Sequence, residues 1–144
     1  MAASTTGNGR GHHVSQRHAH AHAHEVDDEL PAPVEKLLRE RLALLVEAAK
    51  LNRAAYANAE VGFGEVASSQ MDVLAARLEL ANTSAERIEI RRDMLEIAKQ
   101  MEKVATQLLN RAEAPRVDML KAKALRLQAE AELKREQLAV DRPQ

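Results

Sequence analysis

From Leu38 to Leu138 the apolar residues recur at alternating steps of four and three, and this spacing limits the possible folds more than any other feature of the chain. A strand repeats its faces every two residues and a helix every 3.6. The alternation therefore draws one apolar stripe along a helix, which a second helix must cover. The first seam is Leu38, Leu42, Leu45, Ala49, Asn52 and Tyr56, and the second is Ala67, Met71, Leu74, Leu78 and Ala81. The third is the cleanest: Ile90, Met94, Ile97, Met101, Val104 and Leu108. Val117, Leu120, Ala124, Leu127, Ala131 and Leu138 make the fourth.

Breakers separate the four seams. Pro31 and Pro33 sit at the entry to the first helix, where a missing N–H costs nothing. Gly62 and Gly64 flank Phe63, and two glycines so close cost a continuous helix about 1 kcal/mol each, so a turn is expected over 58–64. The second helix is expected to end near Asn82. Thr83, with Glu86 three residues on, forms a capping box for the third. Pro115 cannot continue that helix but can begin a fourth, which frays before Pro143. The fold expected is all-α, with two consecutive long helical hairpins packed as in a coiled coil and spanning residues 30–140.

The composition agrees. Apolar residues make up 45% of the chain, yet Tyr56 and Phe63 are the only aromatics, so the core must be Leu, Ile, Val, Met and Ala, which excludes a β-sandwich or barrel. Helices this amphipathic and this poor in aromatics call for a second copy to bury their seams, so a homo-oligomer or partner helices are expected. The 21 basic residues balance 22 acidic ones, and Arg87, Arg91 and Arg92 interleave with Glu86, Glu89, Asp93 and Glu96. That is a solvated mixed face; with no stacking aromatics beside it, no nucleic-acid partner is expected. The longest apolar run, Leu42 to Val46, is far short of the roughly 20 residues a membrane span needs, so no transmembrane segment is expected. No cysteine is present, no secretory signal is visible, and the compartment stays open between cytoplasm and, if exported, periplasm or outer membrane.

Residues 1–29 read differently. They hold all six histidines and no apolar periodicity, and they close on Glu25, Asp27, Asp28 and Glu29, the composition of a disordered tail. His18, His20, His22 and His24 alternate with alanine, preceded by His12 and His13. An extended chain lines these imidazoles up on one side, and a helical turn pairs them at i and i+4; either geometry can hold zinc, nickel or copper. No cofactor is required elsewhere. No histidine lies outside the tail, no glycine-rich phosphate loop appears, and no serine has a nearby base, so the chain is read as non-enzymatic. Asp118 is read as an anion favoured by the N–H groups of a helix start, and the methionines are read as core filling.

The hairpin region looks duplicated, with repeats at about 38–87 and 91–138. Laying Tyr56 on Leu109 superposes Glu65 on Asp118, Val66 on Met119, Ala67 on Leu120 and Ser69 on Ala122. A second register, one heptad away, sets Met71-Asp72-Val73-Leu74 on Val117-Asp118-Met119-Leu120. At these residues the chain resembles the TolC-like outer-membrane efflux family, whose hairpins carry a pattern like Tyr-x-x-Gly-x-x-Ser-x-x-Asp-x-Leu-x-Ala. Asp118, Leu120 and Ala122 match it, with Leu109 at the Tyr and Ala112 at the Gly position. In the first half Tyr56 matches, Ala59 stands at the Gly position, and Glu65, Ala67 and Ser69 stand at the Asp, Leu and Ala positions. The resemblance spans roughly residues 40–138. It implies a coiled-coil component like the periplasmic helical part of an efflux channel, with a link to metal efflux through the histidines. Family members also carry β-strands that build an outer-membrane barrel, and this chain has no alternating pattern for them. The alternative is an oligomeric helical scaffold with a metal-binding tail.

Imidazole ligation competes with protons, so metal binding must weaken as pH falls through about 6.5. Deleting residues 1–29 is expected to abolish zinc and nickel binding and leave helicity and thermal unfolding nearly unchanged. Calorimetric titration of both proteins at neutral and mildly acidic pH checks this, and tight binding by the truncated protein would place the site in the helices.

Overall fold

The structure, a computed structural model, describes residues 29–143. It contains four helices, α1 (Ala32–Ala57), α2 (Phe63–Leu80), α3 (Ser84–Asn110) and α4 (Arg116–Val140), and no strand among the described residues. The all-α reading of two hairpins holds. At 26 residues α1 is about 39 Å long. The expected tail over 1–29 lies almost wholly outside the described residues.

Local chemistry accounts for each helix end. Pro31 caps α1, its carbonyl accepting from the N–H groups of Val34 (2.8 Å) and Glu35 (3.0 Å). Thr83 Oγ1 accepts from the Glu86 N–H at 3.1 Å, which starts α3. The return bond of the capping box shifts by one residue, because the Glu86 carboxylate accepts from the Asn82 N–H instead of that of Thr83 (2.9 Å). The first turn is shorter than expected. Gly62 is the N-cap of α2 and Gly64 lies in its first turn, where glycine breaks no intrahelical hydrogen bond, and α2 ends at Leu80, before Asn82.

The two hairpin turns are copies of each other, 53 residues apart. Ala59 and Ala112 both take left-handed backbone, at φ 58° and 56°. Ahead of them, Asn58 (φ −90°, ψ 6°) and Arg111 (φ −91°, ψ 3°) cap their helices in the same conformation. The Ala59 and Ala112 N–H groups donate to Tyr56 and Leu109, and those of Glu60 and Glu113 donate back to Ala55 and Leu108. Each is a Schellman closure, and Gly62 and Pro115 then cap the returning helices at equivalent points. Backbone geometry thereby selects the register that lays Tyr56 on Leu109 over the one shifted by a heptad.

The helices form an open row. α1 packs on α2, α2 on α3 and α3 on α4, and no other pair packs together. Partners run antiparallel, as shown by the ion pairs Arg41–Glu79 between α1 and α2 and Arg87–Glu136 between α3 and α4. α2 buries two faces: Val66, Ser69, Val73 and Ala76 on one, Ala67 and Leu74 on the other, with Met71 and Leu78 half-buried beside them. α3 also has two. Leu95 and Ala98 form a cluster with Ala129 and Leu133 of α4, and the expected seam from Ile90 to Leu108 lies on its other side, half-buried.

The fourth seam is a correction. Val117, Leu120, Ala124, Leu127, Ala131 and Leu138 are all exposed, and α4 instead turns Ala122, Ala129 and Leu133 inward, with Met119 and Leu125 half-buried. The reason is charge. Arg126, Glu132 and Glu136 occupy or border that inner face, so the chain's continuous apolar stripe is the outer one. Tyr56 likewise stands exposed, and Ala55 takes the last half-buried place on α1.

A side chain in left-handed backbone costs roughly 1–2 kcal/mol relative to glycine. Ala59→Gly and Ala112→Gly are each expected to raise stability by about 1 kcal/mol net of the glycine's extra unfolded-state entropy. Chemical denaturation followed by circular dichroism reads the change, and a loss of stability at both sites would contradict the left-handed assignment.

Candidate functional site

The surface of this row that chemistry cannot leave unexplained lies at its two ends. On α1, Leu37, Leu44 and Leu51 stand one heptad apart and exposed, Leu44 at 73%. On α4 the exposed stripe is Val117, Leu120, Ala124, Leu127, Ala131 and Leu138, with Leu127 at 51%. Isolated surface leucines are ordinary; the three on α1 stand two turns apart, whereas the α4 stripe is continuous from Val117 to Ala131, and an apolar face of that kind is a candidate interaction surface. Glu40 and Glu47 border the α1 ladder on one side; Lys121, Lys123 and Arg135 border that of α4.

Each ladder is held in place by the opposite face of its own helix. Behind the α1 ladder, Leu38, Leu42, Leu45 and Ala49 turn toward α2, and the Asn52 amide reaches the Glu65 carbonyl (3.5 Å). Behind the α4 ladder, three cross-helix ion pairs bind α4 to α3. Arg87 reaches Glu136 at 2.7 Å, Arg91 pairs with Glu132 and Arg126 with Glu102, all partly buried. Arg91 Nε is buried with no hydrogen-bond partner among the described residues, so this strip of the interface is not fully satisfied there.

Between α1 and α3, floored by α2, runs a cleft of about 450 Å³. Val46, Ala49, Val73, Leu74 and Ile97 give it apolar walls, with Lys50, Arg53 and Arg77 at one rim and Asp93 and Glu96 at the other. It is open to solvent, and the charges at its rims belong to ordinary helix surfaces rather than converging on one point.

The metal ligands expected in the tail, His12, His13, His18, His20, His22 and His24, lie outside the described residues. Among the described residues no three His, Asp or Glu side chains converge on a point where an ion could sit. Asp118 sits in the first turn of α4, where the exposed N–H groups favour an anion. Met71, Met94, Met101 and Met119 are all half-buried along interfaces, as core filling requires. Among the described residues no helix is long and apolar enough to cross a membrane. The α1 ladder escaped the sequence reading although a leucine at every seventh position, 37, 44 and 51, was there to be seen. No family model, no curated protein and no solved structure matches this chain.

Truncating Leu133, 9% exposed in the α3–α4 core, is expected to cost about 2–4 kcal/mol as Leu133→Ala. Leu127→Gln on the outer ladder should stay within about 0.5 kcal/mol at dilution. Urea melts of the two variants check which face of α4 is the inner one, and the reverse order would restore the fourth seam.

Proposed function

We propose that this chain is a non-enzymatic coiled-coil component, similar to the periplasmic helical part of an outer-membrane efflux channel, in which hairpins pack side by side with further copies or with partner helices. One observation carries the reading. The glycine of the family pattern falls, in both halves, on the one residue of each turn that adopts left-handed backbone, Ala59 and Ala112. A glycine position has a physical reason at that point, which heptad spacing by itself does not supply. The exposed ladders on α1 and α4 support the same reading, since a component that works by packing must keep apolar faces for its neighbours. The histidine motif adds the link to metal: imidazoles tethered to the assembly would gather zinc, nickel or copper near it.

The second reading is an oligomeric helical scaffold whose tail binds metal, and it rests on the same histidine motif without the efflux setting. Fractionation of source cells separates the two. Recovery in the envelope fraction is expected, together with lower tolerance of zinc, nickel or copper salts when the gene is deleted. Recovery in the cytosol with unchanged tolerance would leave the scaffold.

A further inference from the structure

We infer that the α1 ladder of one copy packs against the α4 ladder of another, head to tail, in the geometry that α2 and α3 adopt within one chain. The argument runs through the duplication. α2 has two neighbours, α1 and α3, and two buried faces. Its face Val66, Ser69, Val73 and Ala76 corresponds, 53 residues on, to Met119, Ala122, Arg126 and Ala129 of α4, the side that packs on α3. That face of α2 therefore packs on α1. The other, Ala67, Met71, Leu74 and Leu78, is left for α3.

On α3, Leu95 and Ala98 serve α4, so Ile90, Ile97 and Val104 serve α2. The short connection from Leu80 to Ser84 sets the register of that antiparallel contact, with Leu74 level with Ile90 and Ala67 level with Ile97, and Gln70 and Asp93 line the cleft beside it. Moving each face by the 53-residue offset of the repeat carries it onto an exposed ladder. Ala67, Met71, Leu74 and Leu78 become Leu120, Ala124, Leu127 and Ala131; Ile90, Ile97 and Val104 become Leu37, Leu44 and Leu51. The open surfaces at the two ends of the row are thus the repeat equivalents of the two surfaces that meet in its middle, and the occupant each one fits is the other end of a second copy.

In the transferred register Leu37 lies opposite Leu127 and Leu44 opposite Leu120, while Glu40 falls beside Lys123, an opposite-charge pair at the edge of the seam. A contact of this kind joins two different patches, so it propagates around a ring or along a filament instead of stopping at a symmetric pair. The inference rests on the proposed function only in treating the chain as an assembly component.

The chain has no cysteine, which makes the contact directly addressable in the full-length protein. Leu37→Cys and Leu127→Cys, purified separately, mixed and treated with a short bismaleimide, are expected to give a crosslinked two-chain band at least tenfold stronger than either variant alone. Leu44→Cys with Leu120→Cys should crosslink as well, and Leu51→Cys with Leu138→Cys should not. Lys123→Glu should weaken self-association in sedimentation at least tenfold, and Glu40→Lys added to it should restore the association. Equal crosslinking of Leu37→Cys with itself would overturn the inference in favour of a symmetric contact. So would a mixture that fails to crosslink at concentrations where the protein assembles, or a protein that stays monomeric at millimolar concentration. A protein that is monomeric but found in the envelope fraction would overturn this contact alone and leave the proposed function standing.

Discussion

The packing of α2 on α3 is the contact on which the rest of the row depends, because it alone joins the first hairpin to the second. Neither helix can make it with a single apolar stripe. Each must already spend one face on its hairpin partner, so each needs a second face turned well away from the first. Small residues make this possible: Ala67, Ala76 and Ala98 are essentially sealed from solvent, and a helix that presents alanine lets its neighbour come close. The result is a thin core. Among the described residues no large side chain is completely buried, and cohesion comes from contact spread along helices of 18 to 27 residues rather than from a few bulky anchors.

The two hairpins share a backbone but differ in how far ion pairs share the interface with apolar contacts. Ala49 and Val73 in the first half stand where Glu102 and Arg126 form an ion pair in the second, and Leu38 stands where Arg91 meets Glu132. An apolar pair and a partly buried ion pair can occupy the same geometry because stability depends on the balance of desolvation and attraction at each site, and the two solutions come out close in free energy. They differ in what they permit. Apolar contacts are indifferent to small changes in rotation about the helix axis, whereas three ion pairs across α3 and α4 fix which side of α4 faces inward.

That difference explains what the sequence could and could not disclose. On α1 and α2 the inner face is also the most apolar one, so periodicity identified Leu38, Leu42, Leu45, Ala49, Ala67 and Leu74 correctly, together with Asn52 as a polar member of the seam. On α4 the inner face carries Arg126, Glu132 and Glu136 and the outer face carries the leucines, so the same rule selected the wrong side. Periodicity finds apolar stripes, and it does not say whether the partner that covers them lies in the same chain. The turns were legible as breaks, but their handedness was hidden, because alanine stands at 59 and 112 where glycine would have announced left-handed backbone. The candidate metal ligands were legible only as a pattern of imidazoles, since their spacing defines a chelating chain without defining its partners.

A row of helical repeats ends in one of two ways. An array meant to stay single closes each end with a unit whose outer side is polar, because an uncovered copy of the interior face attracts whatever fits it. Here the ends are not closed in that manner. The α1 ladder keeps Leu37, Leu44 and Leu51 at the positions that hold Ile90, Ile97 and Val104 in the interior, and the α4 ladder keeps Leu120 and Leu127 at those of Ala67 and Leu74. On α4 the substitution even runs from smaller to larger at the first of these, from a sealed alanine to an exposed leucine. Mutational drift alone would replace exposed leucines on a monomer's edge with polar residues, which fold as well and aggregate less. Their presence at the repeat-equivalent positions of both ends is the observation from which the proposed contact between copies starts.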